Sequence, residues 1–325
     1  MTRLPGGELL GTAVIALLLG ASLLIWVTIL ARWIGRLPVL PYQPRLIARW
    51  TGKEVLAVFL LFHWSFLFNF VFQILEIVTP EDPASSVTAT SAEEEPVPES
   101  NGQKDIQEKD ILHPVIILLQ SDPSPSTLLI CSFLVVVLAP VAEEFVFRMV
   151  LLGYALQKEK YWRISRTKPL NLPRGGLSVL IVSLWFAFLH GRVSGEGPPH
   201  QKAIWGGLIL TGALALVTIV LVFSIAASKG GSFWQNLGVL PQKLLSDLWL
   251  GTLGFLAVSP PLWVVQAQLV PIFAKWGIAP DPIPIFLLAL ALGTLTATTG
   301  RIVPAIMLHV WHNFSSLLIA LLSDM

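Results

Sequence analysis

The sequence predicts an all-α fold, a polytopic bundle of about eight transmembrane helices. Of its 325 residues, 54% are hydrophobic and only 13% are charged, against about 25% charged residues in a typical soluble domain. The mean hydropathy is +0.73, and apolar stretches of about 20 residues, the length that crosses a bilayer, recur along the chain. The lipid bilayer is therefore the expected partner. The net charge of +1 and the lack of a basic patch argue against a nucleic-acid partner.

Eight stretches are candidate spans, and two of them, 176–191 and 283–298, are short. The first is apolar from Leu9 to Leu30, longer than the roughly 7–15 residues of a signal-peptide core, and no small-residue cleavage site follows it. We therefore expect an uncleaved helix there. Pro260-Pro261 should break or kink the sixth span. The spans are 9–34, 53–79, 126–157, 176–191, 203–227, 247–273, 283–298 and 302–323.

Loop charges predict the orientation. The 35–52 and 158–175 loops are basic, which is typical of the cytoplasmic side. The 80–110 loop is acidic and rich in Pro, Ser and Thr, which indicates a disordered segment on the opposite side. Both termini would then also lie on the non-cytoplasmic side, in a multi-pass protein of the plasma (inner) membrane. We expect a two-helix part at 1–79, a largely disordered acidic linker at 80–125 and a six-helix part at 126–325.

The third span carries three ionisable residues, Glu143, Glu144 and Arg148. They are the only Asp, Glu, Lys, Arg or His between Asp122 and Lys158. Each charge at bilayer depth costs roughly 2.5–3.5 kcal/mol on insertion scales, so such residues usually pair with one another or serve a function. A buried ion-pair network that only joins helices is the structural alternative to a catalytic role.

The spacing assigns different environments to the two glutamates. Glu144 and Arg148 are four residues apart on one helical face and can form an ion pair. Glu143 points about 100° away and has no partner on its own helix. A desolvated, unpaired carboxylate is a candidate general base. Pro140 cannot donate to the carbonyl of Val136, so the helix should be weakened one turn before Glu143.

Two later spans supply histidines. His190 ends the fourth span about 22 Å from the basic loop at 1.5 Å per residue, and Glu143 lies at a similar distance on the other side of that loop. In the last span, His309 and Asn313 share a face and can both donate hydrogen bonds to an oxyanion. The same depth count places His309 nearer the cytoplasm than Glu143. A structural histidine near a helix end, or an asparagine that joins two helices, is the alternative in each case.

These residues together resemble the CAAX protease and bacteriocin-processing family (CPBP, also called Abi) of intramembrane endopeptidases. The family pattern is Glu-Glu-x-x-x-Arg, then Phe-x-x-x-His, then His-x-x-x-Asn/Asp, each on its own membrane helix. The matching residues are Glu143, Glu144 and Arg148, then Phe186 and His190, then His309 and Asn313. The stretch 299–305 also looks like the family's approach to its third motif. The resemblance covers about 126–191 and 283–323.

The resemblance implies a protease domain at 126–325 that hydrolyses peptide bonds of a membrane-associated protein or peptide. Glu143 with His190 would activate a water molecule, and His309 with Asn313 would stabilise the oxyanion. The supporting residues would be Glu144, Arg148 and Phe186. A prenylated protein, a peptide and a membrane protein all remain candidate substrates.

A catalytic zinc ion is one of two mechanisms compatible with these residues. Glu143, His190 and His309 match a set of one carboxylate and two imidazoles, with water as the fourth ligand. However, the chain has no His-Glu-x-x-His motif. A metal-free glutamate mechanism with the same residues agrees equally well with the sequence.

One departure from a compact family core concerns the 118 residues between His190 and His309. We assign the excess to an extra two-helix insert at about 192–282, in which 232–241 resembles the amphipathic lead-in that often precedes the first motif. Two other function classes compete with a protease. A transporter or proton pathway would favour inverted repeats, which are not evident. A non-catalytic immunity or scaffold protein would have less reason to carry every motif residue.

Overall fold

The computed structural model describes residues 5–40, 49–64, 114–122, 124–165, 175–190, 201–274 and 282–323. Within these ranges the chain is helical and contains no strand. The helices are α1 (Pro5–Ile34), α2 (52–64), α3 (Pro114–Ser121), α4 (125–165), α5 (Gly176–His190), α6 (Gln201–Ser228), α7 (Phe233–Asn236), α8 (Leu244–Ala274), α9 (Pro282–Thr299) and α10 (Val303–Ser323), with a 3-10 turn at Pro241–Lys243. The predicted all-α membrane bundle is thereby confirmed.

Six of the described helices are long and apolar enough to cross a membrane, namely α1, α4, α6, α8, α9 and α10. The shorter α5 is also apolar. The predicted second span, 53–79, is described only as far as residue 64, as α2. Of the predicted linker, 80–113 lies outside the described residues. Its end forms α3, whose Val115, Leu118 and Leu119 are buried, because the acidic residues stop at Asp110 and an apolar stretch follows.

The long helix α4 changes its hydrogen-bond spacing around Pro140. Its segments 133–138 and 144–151 are π-helical, and the N–H of Ala139 donates to the carbonyl of Leu134, five residues back. Proline has no N–H to give, so the helix cannot continue its regular pattern through this position. The predicted weakening is therefore seen as a π-helical segment on each side of residues 139–143. Short π-helical insertions are frequent at functional sites.

The proline pair of α8 does not end that helix, which is continuous from Leu244 to Ala274. Pro261 would leave the carbonyl of Ala257 without its usual donor four residues on. The indole Nε1 of Trp26 in α1 donates to this carbonyl at 2.8 Å. Of the predicted break or kink, the break does not occur, because a side chain from a neighbouring helix replaces the missing backbone donor.

The main core surrounds the middle of α4. Phe145, Phe147 and Val150 are buried there together with Trp50 and Val58 from the 49–64 segment. The same cluster includes buried residues of α5, α6, α9 and the turn that precedes α10. The N-terminal part and the 126–325 part therefore share one hydrophobic core.

The start of α10 lies inside the protein. Gly300 adopts a left-handed conformation, with φ of 66°, and the N–H of Ile302 donates to the carbonyl of Gly238 at 3.1 Å. Ile302 and Leu237 are both buried in the main core. The segment that follows α7 thus covers the turn from which α10 begins.

Candidate active site

Three helices bring the predicted residues together around the carboxylate of Glu143. Its Oε1 lies 3.7 Å from Nε2 of His190 on α5, and its Oε2 lies 3.7 Å from Nε2 of His309 on α10. The Glu143 side chain is 17% exposed, His190 29% and His309 5%. A carboxylate and two imidazoles therefore line one partly accessible space, as the motif spacing suggested for His190.

The depth count for His309 was wrong. It assumed that α10 begins at the membrane surface, whereas Arg301 and Ile302 are buried beneath the segment that follows α7. Six residues of helix span about 9 Å, so a helix that starts at Val303 inside the protein carries His309 to the depth of Glu143.

Glu144 links two helices. Its Oε2 lies 3.3 Å from Nε of Arg148 one turn later, so the predicted ion pair is present. Its Oε1 accepts a hydrogen bond of 2.9 Å from Nδ1 of His309. All three side chains are buried. The guanidinium carbon of Arg148 lies 4.4 Å from the ring centroid of Phe186, which is within the range of a cation–π interaction.

The partners of the two Nδ1 atoms define the histidine tautomers. His190 Nδ1 lies 2.8 Å from the carbonyl oxygen of Phe186, which can only accept, so this nitrogen carries a hydrogen. The ring of Phe186 also stacks on that of His190, with centroids 4.3 Å apart. His309 Nδ1 faces the Glu144 carboxylate in the same way. In a neutral ring Nε2 then carries a lone pair and no hydrogen. The Nε2 atoms of both rings face Glu143.

Asn313 follows His309 by one turn of α10, and its Nδ2 donates to the carbonyl of Val135 on α4 at 3.0 Å. One of its two amide hydrogens is therefore engaged with the protein. The second hydrogen is the one that could serve the oxyanion role expected from the sequence.

The donor set has the chemistry of a zinc site. One carboxylate and two imidazole Nε2 atoms face each other. The Nδ1–H of each imidazole donates a hydrogen bond to a carbonyl or a carboxylate, as histidines that bind metals usually do. As they stand, however, the described side chains form no group of three His, Cys, Asp or Glu able to hold a metal ion. The residues fit such an ion in kind, and their present spacing is wider than coordination requires.

Sequence reasoning missed three contacts that position these helices. Arg301 and Asp247 form a buried ion pair between the start of α10 and α8. Glu159 of α4 accepts from the N–H groups of Gly175 and Ser178 at 2.9 and 3.0 Å and caps α5. Arg301 belongs to the 299–305 stretch that resembles the family pattern. Its partner Asp247 is 54 residues away, so the sequence pattern does not indicate the pair. Glu159 was hidden among the basic residues of its loop.

Comparison with known families supports the motif assignment. Residues 125–239 match the family described as type II CAAX prenyl endopeptidase Rce1-like. The matched segment holds Glu143, Glu144, Arg148 and His190, and it ends before α8 and the helix of His309. Over residues 125–239 the match supports the family resemblance that the sequence motifs predicted. No curated protein and no solved structure matches the chain.

Proposed function

We propose that this chain is an intramembrane endopeptidase, supported by the match of residues 125–239 to the type II CAAX prenyl endopeptidase Rce1-like family. It would hydrolyse a peptide bond of a membrane-associated protein or peptide. The observation that supports this most directly is the position of Glu143, with one carboxylate oxygen 3.7 Å from each of the two imidazole Nε2 atoms. That separation is too long for a hydrogen bond and suits a water molecule held among the three side chains.

In the proposed reaction Glu143 is the general base. It takes a proton from the water as the water oxygen bonds to the carbonyl carbon of the substrate. His190 orients the water, because its unprotonated Nε2 accepts a hydrogen bond from it. The carbon–nitrogen bond then breaks, and the proton held by Glu143 passes to the leaving amine nitrogen. The carboxylate is regenerated in the same cycle.

The charges of the cluster suggest how the oxyanion is stabilised. The cluster contains two carboxylates, Glu143 and Glu144, and one guanidinium, Arg148. With both carboxylates ionised it carries one net negative charge in a largely buried environment. A protonated His309 would neutralise it, since this ring lies beside both carboxylates. In that form Nε2 donates a hydrogen bond toward the developing oxyanion, together with the free amide hydrogen of Asn313.

The zinc alternative uses the same side chains. Glu143, His190 and His309 would hold the ion, and the Phe186 carbonyl and Glu144 would fix the two imidazoles through Nδ1. A bound zinc ion would polarise the substrate carbonyl and activate the water. Removal of metal from purified protein, verified by elemental mass spectrometry, separates the two mechanisms. Cleavage that survives verified removal supports the metal-free reaction, and cleavage restored only by added Zn²⁺ supports the zinc enzyme.

The variant Glu143→Gln tests the proposal, because it keeps the shape of the side chain and removes the base. New protein termini in membranes containing the wild type or the variant are compared by mass spectrometry. Glu54→Gln is the matched control, since Glu54 lies on α2 and pairs with Lys229 at 2.8 Å. We expect cleavage products with the wild type and Glu54→Gln, and none with Glu143→Gln. Equal product patterns for all three proteins would contradict an endopeptidase.

The substrate class needs its own assay. Three peptides are incubated with the purified protein in liposomes: a prenylated C-terminal peptide, its unprenylated counterpart and a transmembrane peptide. Cleavage of the first alone would indicate CAAX processing. Cleavage of the third would indicate proteolysis of membrane proteins, and Glu143→Gln should abolish whichever reaction occurs.

We also propose that both termini and the 80–110 loop lie on the non-cytoplasmic side of the plasma (inner) membrane. The basic 35–52 and 158–175 loops are the support for this orientation. Reporter enzymes that are active only in the cytoplasm should stay inactive when fused to the C-terminus and become active when inserted in the 158–175 loop. The opposite pattern would reverse the orientation.

A further inference from the structure

We propose that the backbone carbonyl of Val135, left without a backbone donor by Pro140, is the group that positions the amide of Asn313. This rests on the proposed function for its catalytic consequence, although the contact itself does not. Pro140 becomes a positioning residue in this proposal: it acts on the reaction through Val135 and Asn313.

The carbonyl of Val135 lies where Pro140 interrupts the backbone hydrogen bonds of α4. In an α-helix the N–H of Ala139 would donate to Val135, and in a π-helix the donor would be residue 140. The N–H of Ala139 donates instead to Leu134, and Pro140 has no N–H. Neither backbone donor therefore serves Val135. A carbonyl without a donor at this depth of a membrane protein costs free energy unless another group supplies the hydrogen bond.

The amide of Asn313 on α10 supplies the hydrogen bond that the backbone does not. Nδ2 of Asn313 lies 3.0 Å from the Val135 oxygen, across the contact between α10 and the first π-helical segment of α4. A side-chain amide rotates freely about its last torsion unless a partner holds it. The bond to Val135 fixes the plane of the amide, and with it the direction of the second Nδ2 hydrogen. That hydrogen is the one proposed to meet the oxyanion.

The same arrangement occurs a second time in the molecule, away from the site. Pro261 leaves the carbonyl of Ala257 without its backbone donor, and Trp26 Nε1 fills the position at 2.8 Å. There the bond attaches α1 to α8 and involves none of the proposed catalytic residues. Pro261→Ala is therefore a matched control for Pro140→Ala, because both variants restore a backbone N–H that competes with a side-chain donor from another helix.

Pro140→Ala is the primary test. The new N–H can donate to Val135, so the Asn313 amide loses its partner while the helix itself gains a hydrogen bond. We expect kcat to fall about tenfold with KM unchanged, less than the roughly 10²–10³-fold loss that follows removal of a whole oxyanion donor. The melting temperature should not fall. Pro261→Ala should leave kcat unchanged. Wild-type kcat in Pro140→Ala, or a loss of kcat that comes with a lower melting temperature, would overturn the proposal.

A double-mutant cycle in stability tests the contact without any activity measurement. Asn313→Ala is introduced into the wild type and into Pro140→Ala, and the melting temperatures of all four proteins are compared. In the wild type the substitution leaves the Val135 carbonyl without a donor and should lower the melting temperature. In the Pro140→Ala background the carbonyl already has a backbone donor, so the same substitution should have a clearly smaller effect. Equal effects in both backgrounds would overturn the proposal. The cycle needs no substrate. If the protein shows no peptidase activity, the proposed function is refuted, but the melting temperatures still test the contact between Asn313 and Val135.

Discussion

His309 and Glu144 are joined by a hydrogen bond of 2.9 Å between Nδ1 and Oε1, although 165 positions of sequence separate them. The same carboxylate also lies 3.3 Å from Nε of Arg148. Glu144 is thus bonded both along its own helix and across to α10, whereas Glu143 has both oxygens 3.7 Å from the nearest imidazole nitrogens. Two adjacent glutamates therefore differ in their contacts: Glu144 is bonded to two helices, whereas neither oxygen of Glu143 is within hydrogen-bond distance of the two imidazoles.

Glu144→Gln should destabilise the protein much more than Glu143→Gln. The amide can still accept from His309, but it leaves the buried guanidinium of Arg148 without its counter-charge. Loss of one partner of a buried ion pair costs about 3–5 kcal/mol. Melting temperatures of the two purified variants in the same detergent provide the measurement. Replacement of both partners, Glu144→Leu with Arg148→Met, should be milder than Glu144→Gln. Equal melting temperatures for the two single variants would show that this buried ion pair does not stabilise the fold.

Gly251→Ala should impair both stability and cleavage. A Cβ at this position of α8 would lie 2.5 Å from the carbonyl oxygen of Pro304 and 2.6 Å from Cβ of Met307. The two helices must therefore move apart, and α10 carries His309. Close helix contacts through small residues are a main source of cohesion in membrane bundles. We expect a lower melting temperature and a cleavage rate reduced by at least about tenfold, because a 1 Å misplacement of a catalytic group can cost about 10²-fold.

The control for this substitution is Gly206→Ala in α6. A Cβ there meets nothing within 4 Å, and alanine is favoured over glycine in a helix by about 1 kcal/mol. Its melting temperature should be equal to or above that of the wild type, with unchanged cleavage. If Gly251→Ala behaves in the same way, the close approach of α8 and α10 is not required.

Asp247→Asn should loosen the start of α10. Asp247 and Arg301 form a buried ion pair that attaches the turn before α10 to α8. The variant leaves the arginine buried without its carboxylate, at a cost of about 3–5 kcal/mol. Hydrogen exchange of the amides at 300–306 should become faster, while exchange in α6 should not change. Unchanged exchange at 300–306 would show that the turn is held by its hydrophobic contacts alone.

Glu159→Ala should release the first turn of α5. The two carboxylate oxygens accept from the N–H groups of Gly175 and Ser178, and Oε2 also accepts from the Ser178 hydroxyl at 2.6 Å. Loss of a helix cap costs about 0.5–2 kcal/mol. We expect a small fall in melting temperature and a fall in kcat through displacement of His190. Glu159→Gln, which keeps one acceptor oxygen, should lie between the wild type and the alanine variant. A kcat equal to the wild type in both would separate the cap from the site.

Relations along one helix could be predicted from the sequence, and relations between helices could not. The four-residue spacing of Glu144 and Arg148 predicted their pairing, because helix geometry alone decides it. Counting residues from the basic loop placed His190 at the depth of Glu143, because α4 ends and α5 begins at that common loop. The same count failed for α10, since its start depends on Ile302 bonding to Gly238 inside the protein. Nothing local to either residue encodes that contact.

The partners of Asn313 and Arg301 show the same limit. Asn313 belongs to the third motif, and Arg301 to the 299–305 stretch that precedes it. Each side chain bonds to a group more than 50 positions away in the sequence. Pro140 predicted an irregular hydrogen-bond pattern in α4. It did not indicate that a carbonyl would be offered to another helix, because that outcome depends on how α4 and α10 pack.

The shared core sets a limit on how the chain can be shortened. Trp50 and Val58 are buried against the same cluster as Phe145, and Trp26 is hydrogen-bonded to α8. A fragment that begins at residue 126 would keep every motif residue and still expose apolar surfaces that the native chain covers. The sequence boundary between the two parts is thus a poor place to cut for expression or crystallisation. A chain without the first two helices would need other residues, or a second subunit, to cover this side of the bundle.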